Sequence, residues 1–189
     1  MVADIVKPVP FELQPTLAGE LLELRPLREE DWPALYAVGA DPLIWALHPE
    51  PDRWTEPKFR NYFRGAMESG GAFVVIDRRS GQVIGSSRYA GYNEDAREIE
   101  IGWTFLARAY WGGEYNQEMK RLMLRHAFRF VERVVFRVGQ ENARSQRALE
   151  KIGAVRVGLA PDVRGGMAVL FEITRERCLL FRESLGVRG

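Results

Sequence analysis

Between Arg97 and Val131 the periodicity of the chain changes once, and that change limits the folds open to it. Arg97–Leu106 (REIEIGWTFL) alternates at first: Glu98, Glu100 and Gly102 fall on one face, Ile99, Ile101 and Trp103 on the other, as in a strand. Ala107–Gly113 (ARAYWGG) is a loop. From about Glu114 to Val131 the spacing becomes helical, with Met119, Leu122, Met123, His126, Ala127 and Phe130 on one apolar stripe. A strand that breaks into glycines and opens a helix gathers unpaired N–H groups at the helix start, where the dipole adds positive potential. Gly112 and Gly113 let an anion come close to that backbone. Two glycines ahead of a helix also make an ordinary tight turn. The spacing matches neither GxxxxGK[ST] nor GxGxxG.

The flanking segments read as alternating layers. Residues 1–19, with Pro8, Pro10 and Pro15, form an extended lead-in, and 20–189 a single domain. Glu20–Leu27 is a strand and Arg28–Ala40 a helix. Asp41–Pro51 is irregular. A helix capped at Thr55 runs to Glu68 and stops at Gly70-Gly71. Ala72–Asp77 and Val83–Tyr92 are strands around a Ser80-Gly81 turn. After the long helix come a strand at Val134–Gly139 and a helix at Asn142–Ile152 ended by Gly153. Two strands follow, Ala154–Leu159 and Met167–Thr174, then a helix at Arg175–Leu185. The fold class is α/β: a mixed, mostly antiparallel central sheet of about seven strands flanked by helices.

Composition removes several functions. Of 189 residues, 27 are basic and 26 acidic, so a net charge of +1 gives no global case for nucleic-acid binding. No apolar run approaches the roughly 20 residues that span a bilayer, and no leader is evident, so the expected location is cytoplasmic. The single cysteine, Cys178, has no partner for an internal disulfide and reads as a buried thiol on a helix. No His, Cys, Asp and Glu cluster has metal-ligand spacing, so no metal is expected.

The run IGWTFLARAYWGGEYNQEMKRLMLRHAF resembles the signature of the GNAT acetyltransferase superfamily, most of all the branch of ribosomal-protein N-terminal acetyltransferases. There an "IGY/IGW" strand leads to a "YWG-x-G" loop and a long helix. NARSQRALEKIGA (Asn142–Ala154) is similar to the family's Asn-x-x-Ser helix, LRPLREEDW (Leu24–Trp32) to its opening strand and helix, and IGSSRY (Ile84–Tyr89) to its third strand. The resemblance covers roughly residues 20–175 and implies a GNAT acyl-CoA N-acyltransferase fold with acetyl-CoA as co-substrate. It further implies that backbone amides of Trp111, Gly112, Gly113, Glu114, Tyr115 and Asn116 cradle the CoA diphosphate. The strand end Trp103, Thr104, Phe105 and Leu106 would pair with the pantetheine arm. Asn142 would bond the pantetheine side, and Ser145 would lie near the sulfur. Glu114 stands where the family pattern has glycine and Asn116 where it has a small residue. If Glu114 points inward, it repels a diphosphate; if outward, it suits a helix N-terminus.

Acetyl transfer to an amine needs a neutral amine and a protonated leaving thiolate. Glu98 and Glu100 are the candidate bases, with Glu100 preferred, unless both lie on a solvated face. Where many family members carry a tyrosine acid this chain has Leu149, so Ser145 is the replacement, or else a helix cap; Tyr89, Tyr92 and Tyr115 are further hydroxyls. Lys120, Arg121, Arg144 and Arg147 would meet the CoA 3′-phosphate or lie on solvated helix faces. His126 reads as a core histidine, while His48 borders the acceptor region or is structural. Residues 41–70 and Asp162–Met167 would build the acceptor site for a small-molecule amine or a peptide N-terminus, and a homodimer is compatible with the sequence. The competing readings are a catalytically silent acyl-CoA-binding or regulatory module and, more remotely, a nucleotide-binding domain.

Overall fold

The computed structural model describes residues 10–162 and 165–178. Among these, eight strands form one sheet in the order β1-β2-β3-β4-β5-β6-β8-β7. They are β1 (Leu17–Ala18), β2 (Leu22–Pro26), β3 (Ala72–Asp77), β4 (Val83–Asn93), β5 (Glu98–Leu106), β6 (Arg133–Gly139), β7 (Val155–Pro161) and β8 (Met167–Thr174). The helices are α1 (Trp32–Gly39), α2 (Pro42–Trp45), α3 (Glu56–Glu68), α4 (Glu114–Ala127) and α5 (Ala143–Lys151). Every neighbouring pair is antiparallel except β5–β6. The expected sheet of about seven strands gains β1, a two-residue strand inside the expected lead-in, too short to leave a pattern.

Two apolar clusters lie on the two faces of the sheet. One joins Met119, Met123, Leu124 and Ala127 of α4 to Ile99, Ile101, Phe136 and Val138 of β5 and β6 and to Leu149 of α5. The other joins Leu35 of α1, Trp45 of α2 and Phe59, Tyr62 and Phe63 of α3 to Val74 and Phe105. The amphipathic stripe on α4 thus finds the sheet, as its spacing requires.

Several boundaries differ from those expected. The first helix begins as a 3-10 turn at Glu29–Asp31, because the Asp31 carboxylate accepts from the Arg28 amide and from Arg25 at 2.7 Å. The expected irregular stretch at Asp41–Pro51 contains α2, opened by Asp41 accepting from the Leu43 amide at 3.0 Å with Pro42 in the first turn. α4 stops at Ala127, and Phe128–Val131 continue as turns. The expected last helix lies mostly outside the described residues. Its first three residues form a turn, with the Arg177 and Cys178 amides both donating to the Thr174 carbonyl. Cys178 is buried but sits at the end of that turn, not on a helix.

Candidate active site

The parallel pair β5–β6 is joined only at Glu98–Arg133, Ile99–Val134 and Glu100–Val135. Beyond Glu100 the strands part, and a cleft of about 640 Å³ opens between them, walled by Gly102–Leu106 on one side and Phe136–Gly139 on the other. Trp111, Gly112, Gly113 and Asn116 close one end of it. Gly112 has φ +70°, and a Cβ built on it meets nothing within 4 Å. Gly113 is the N-cap of α4, so the first amides of that helix have no capping side chain. A positive-potential backbone terminus therefore faces the cleft mouth.

β5 carries a bulge. Ser86 faces Phe105 while Arg88 faces Gly102, which leaves one extra residue on β5, and Trp103 takes φ +52°. The bulge reverses the expected alternation: Trp103 packs with the α3 cluster, not on the Ile99 and Ile101 face. The Tyr62 hydroxyl holds the kink by donating to the Trp103 carbonyl at 2.9 Å. A positive φ at a bulky residue costs on the order of 1 kcal/mol or more, which such a bond must offset.

Glu100 lines the cleft and is 9% exposed. Burial pushes its carboxyl above the ordinary glutamate range, against the pull of the Arg137 guanidinium that donates to it. The nearby charge of Glu98 pushes in the same upward direction. Glu98 itself does not line the cleft and pairs with Arg133 at 2.6 Å. The expected cofactor residues Trp103, Thr104, Phe105, Leu106, Trp111, Gly112, Gly113, Asn116, Asn142, Ser145 and Arg147 line the cleft; Glu114 and Tyr115 do not. Glu114 is exposed, and the Tyr115 hydroxyl donates to Asp77 at 3.0 Å, on the other side of the loop.

Asn142, not Ser145, caps α5: its Oδ1 accepts from the Ser145 amide at 3.1 Å. Ser145 is half-buried at the cleft wall, and Leu149 is core. Tyr89 is buried and donates to the Met123 carbonyl, so its hydroxyl is away from the cleft, as is Tyr92, which packs on Phe11. His126 is core, bonded to the Glu12 carbonyl at 2.8 Å. His48 lines the cleft and accepts from the Glu50 amide at 3.0 Å. Arg144 crosses the mouth, stacked 3.7 Å over the Trp111 ring and bonded to the Ile44 carbonyl.

Sequence reasoning misplaced one cation, Lys120, which it put at the 3′-phosphate or on a solvated helix face, and missed another, Arg88. Lys120 is buried at the floor of the cleft, donates to Thr104 Oγ1 at 3.1 Å and lies 5.4 Å from the Phe136 ring centre. Desolvation alone pushes its amine down to about 7. The signal was its place beside Met119 and one turn from Met123 and Leu124, amid an apolar arc. Arg88 is 7% exposed and also lines the cleft. Its signal was a charge inside the otherwise uncharged run Val83–Asn93.

A parted strand pair, an uncapped helix start behind two glycines and a buried carboxylate therefore meet in one cleft. A family profile described as "Acetyltransferase (GNAT) domain" matches residues 22–155, and the chain belongs to that family. A GCN5-related N-acetyltransferase from Brucella melitensis superposes with TM-score 0.79 at 21% identity, over 90% of this chain and 83% of that one. An acetyltransferase of the GNAT family from Bacillus anthracis gives 0.70 at 25% identity, over 85% and 99%. Mycobacterium smegmatis RimJ, solved in complex with CoA-disulfide, gives 0.65 at 22% identity, over 90% of each chain. The family uses acetyl-CoA, and the open space over Gly112 beside an uncapped helix start fits its diphosphate. Among the described residues no cluster would hold a metal ion, and no helix is long and apolar enough to cross a membrane.

Proposed function

We propose that the protein moves acetyl from acetyl-CoA to a primary amine by direct attack in a ternary complex, with Glu100 as the base. The observation that carries this reading is a buried carboxylate of raised pKa at the point where β5 and β6 separate. Amides from Gly112 to Asn116 would receive the diphosphate, while Thr104–Leu106 and Asn142 flank the pantetheine path. Arg147, exposed at the rim, suits the 3′-phosphate. The co-substrate supplies an activated acyl carbon and a thiol leaving group.

An alkyl ammonium of pKa near 10 leaves about one amine in a thousand neutral at pH 7. Glu100, ionised, takes the ammonium proton at its Oε1 or Oε2; the C–N bond forms as the C–S bond breaks, and the second N–H proton passes through the Ser145 hydroxyl to the sulfur. Burial raises the Glu100 pKa, Arg137 draws it back down, and Glu98 adds a smaller upward push. The match of base pKa to working pH is what makes such a group effective.

Thiol release measured against amines, amino acids and N-terminal peptides tests the proposal. Glu100→Gln should lower kcat by about a hundredfold with cofactor affinity by calorimetry unchanged. Because the base form appears only as pH rises through the raised pKa, wild-type kcat should climb above the ordinary glutamate range, and the variant should lose that limb. Wild-type rates in the variant at every pH would remove Glu100 from the mechanism. Stabilisation by CoA without thiol release on any amine would sink the catalytic reading.

A further inference from the structure

Arg88 sits on β4 directly opposite Gly102 of β5. With no side chain at Gly102, its guanidinium reaches the cleft on the face covered by α3, 4.7 Å from the Trp103 ring centre and 5.8 Å from that of Tyr62. It is 7% exposed, and its Nε is fully buried with no hydrogen-bond partner among the described residues. Among the described residues no carboxylate pairs with it, whereas Arg137 has Glu100, and Arg53 has Glu50 at 2.9 Å from its Nε. Burial lowers the Arg88 pKa and the charge of Arg53 lowers it further, yet an arginine stays protonated. A buried, permanently charged fork with an idle N–H is costly unless an anion completes it. Stacking on two rings orients the fork but satisfies none of its donors.

Glu100 lies two residues along β5, on the same face: a Cβ on Gly102 would stand 3.4 Å from Glu100 Oε1. The face therefore presents a cation, a bare glycine and a base in sequence, under the aromatic rings of Tyr62, Trp45 and Trp103. Lys120 lies on the opposite, α4 side of the sheet. We propose that Arg88 binds the carboxylate of the acceptor, and that the acceptor is an amino acid whose amine and carboxylate belong to one small molecule. Arginine's planar fork matches a carboxylate bidentately. The carboxylate docked on Arg88 directs the amine across Gly102 toward Glu100, which takes its proton; the N–C bond then forms as the C–S bond breaks, and the second N–H proton passes to the thiolate sulfur. A peptide N-terminus, whose first carboxyl is an amide, leaves Arg88 unpaired and is disfavoured. The inference rests on the acetyl-transfer reading for the identity of the ligand, but the anion site can be tested without turnover.

The first arm is calorimetry on the full chain with matched pairs of N-acetyl amino acids and their N-acetyl amides, glycine and phenylalanine among them. Wild type should bind the acid of a pair at least about tenfold more tightly, the range for a charge-assisted bond. Arg88→Gln should erase that preference while CoA titrates as before, and Arg88→Lys should restore only part of it. The second arm is thiol release from acetyl-CoA with the free amino acids and their amides, where the acid should be preferred in kcat/KM and Arg88→Gln should level the two. Equal binding of acid and amide by wild type overturns the proposal, as does binding of neither at millimolar concentration; both readings need no variant. A preference for succinyl-CoA over acetyl-CoA that vanishes in Arg88→Gln also overturns it, since the carboxylate would then belong to the acyl chain. Thiol release with acids and amides alike leaves acetyl transfer standing and this site refuted. Acid-selective binding without thiol release on any amine does the reverse.

Discussion

Lys120 shows how one side chain can weaken a fold that another ligand is shaped to need. Its amine falls from 10.5 to about 7 through burial, with a hydroxyl and a ring for company and no carboxylate. The folded pKa lies below the unfolded one, so the native state takes up the proton less readily. The penalty is absent above about pH 10.5, grows as pH falls, and is fully present below about pH 7. Lys120→Met, which keeps the stem and removes the charge, should therefore stabilise the unliganded protein at pH 7, by on the order of 3 kcal/mol. Paired melts at pH 7 and pH 10 check the sign: the gain should shrink at the higher pH, and a variant less stable than wild type at pH 7 would refute the account. On the sequence alone Lys120 reads as a contact to the 3′-phosphate or as a residue of a solvated helix face. The spacing around it was legible, but α4 is covered over a wider arc than its apolar stripe, and coverage is set by elements far away in the chain. The same holds for Arg88, whose neighbours Tyr62 and Trp103 come from two other elements.

At the scale of elements, the switch from period 2 to period 3.6 after Leu106 was readable because both segments are long and their faces are buried. The bulge at Trp103 was not, since a single inserted residue leaves the composition of a strand unchanged and shows only in the pairing with β4. Nor was the clamp that anchors α4 to the start of the sheet. The Glu118 carboxylate, 7% exposed, accepts from the amides of Glu20, Leu21 and Leu22 at 2.8, 2.9 and 2.9 Å. It terminates the β1–β2 hairpin and fixes the helix whose first turn faces the cleft. Glu118→Ala leaves three amides without their acceptor, but only the Leu22 bond is buried, so it should cost about 1–3 kcal/mol, the range for one unsatisfied buried group. Glu118→Gln keeps one acceptor oxygen and should cost less. Urea denaturation reads both; a loss below about 1 kcal/mol in the alanine variant, the size of a single ordinary hydrogen bond, would mean that water replaces the carboxylate. Asn142→Ala should cost about 1 kcal/mol as a lost N-cap, and its effect on cofactor affinity would report any second contact.

At the scale of the molecule, the layer order and sheet class were legible because consecutive elements pack as neighbours, whereas the cleft arises from what two strands fail to do. β5 and β6 pair at three positions and then separate, so the β1–β5 half of the sheet and the β6–β8 half are stitched there by few backbone bonds. Arg144 adds one link, reaching from α5 to the Trp111 ring and the Ile44 carbonyl. A ligand lying in the gap adds contacts that the unfolded chain lacks. Coenzyme A at a hundred times its dissociation constant should stabilise the domain by about 2.7 kcal/mol, a rise of roughly 5–10 °C in Tm for a chain of this size. If the start of α4 holds the diphosphate, pantetheine, which has the arm but no diphosphate, should need a far higher concentration for the same shift. Raising ionic strength should weaken coenzyme A more than pantetheine, because only the former engages charge at a helix terminus. Equal shifts at equal concentration would place the binding energy in the arm alone, and would leave the open backbone over Gly112 without the role its geometry supports.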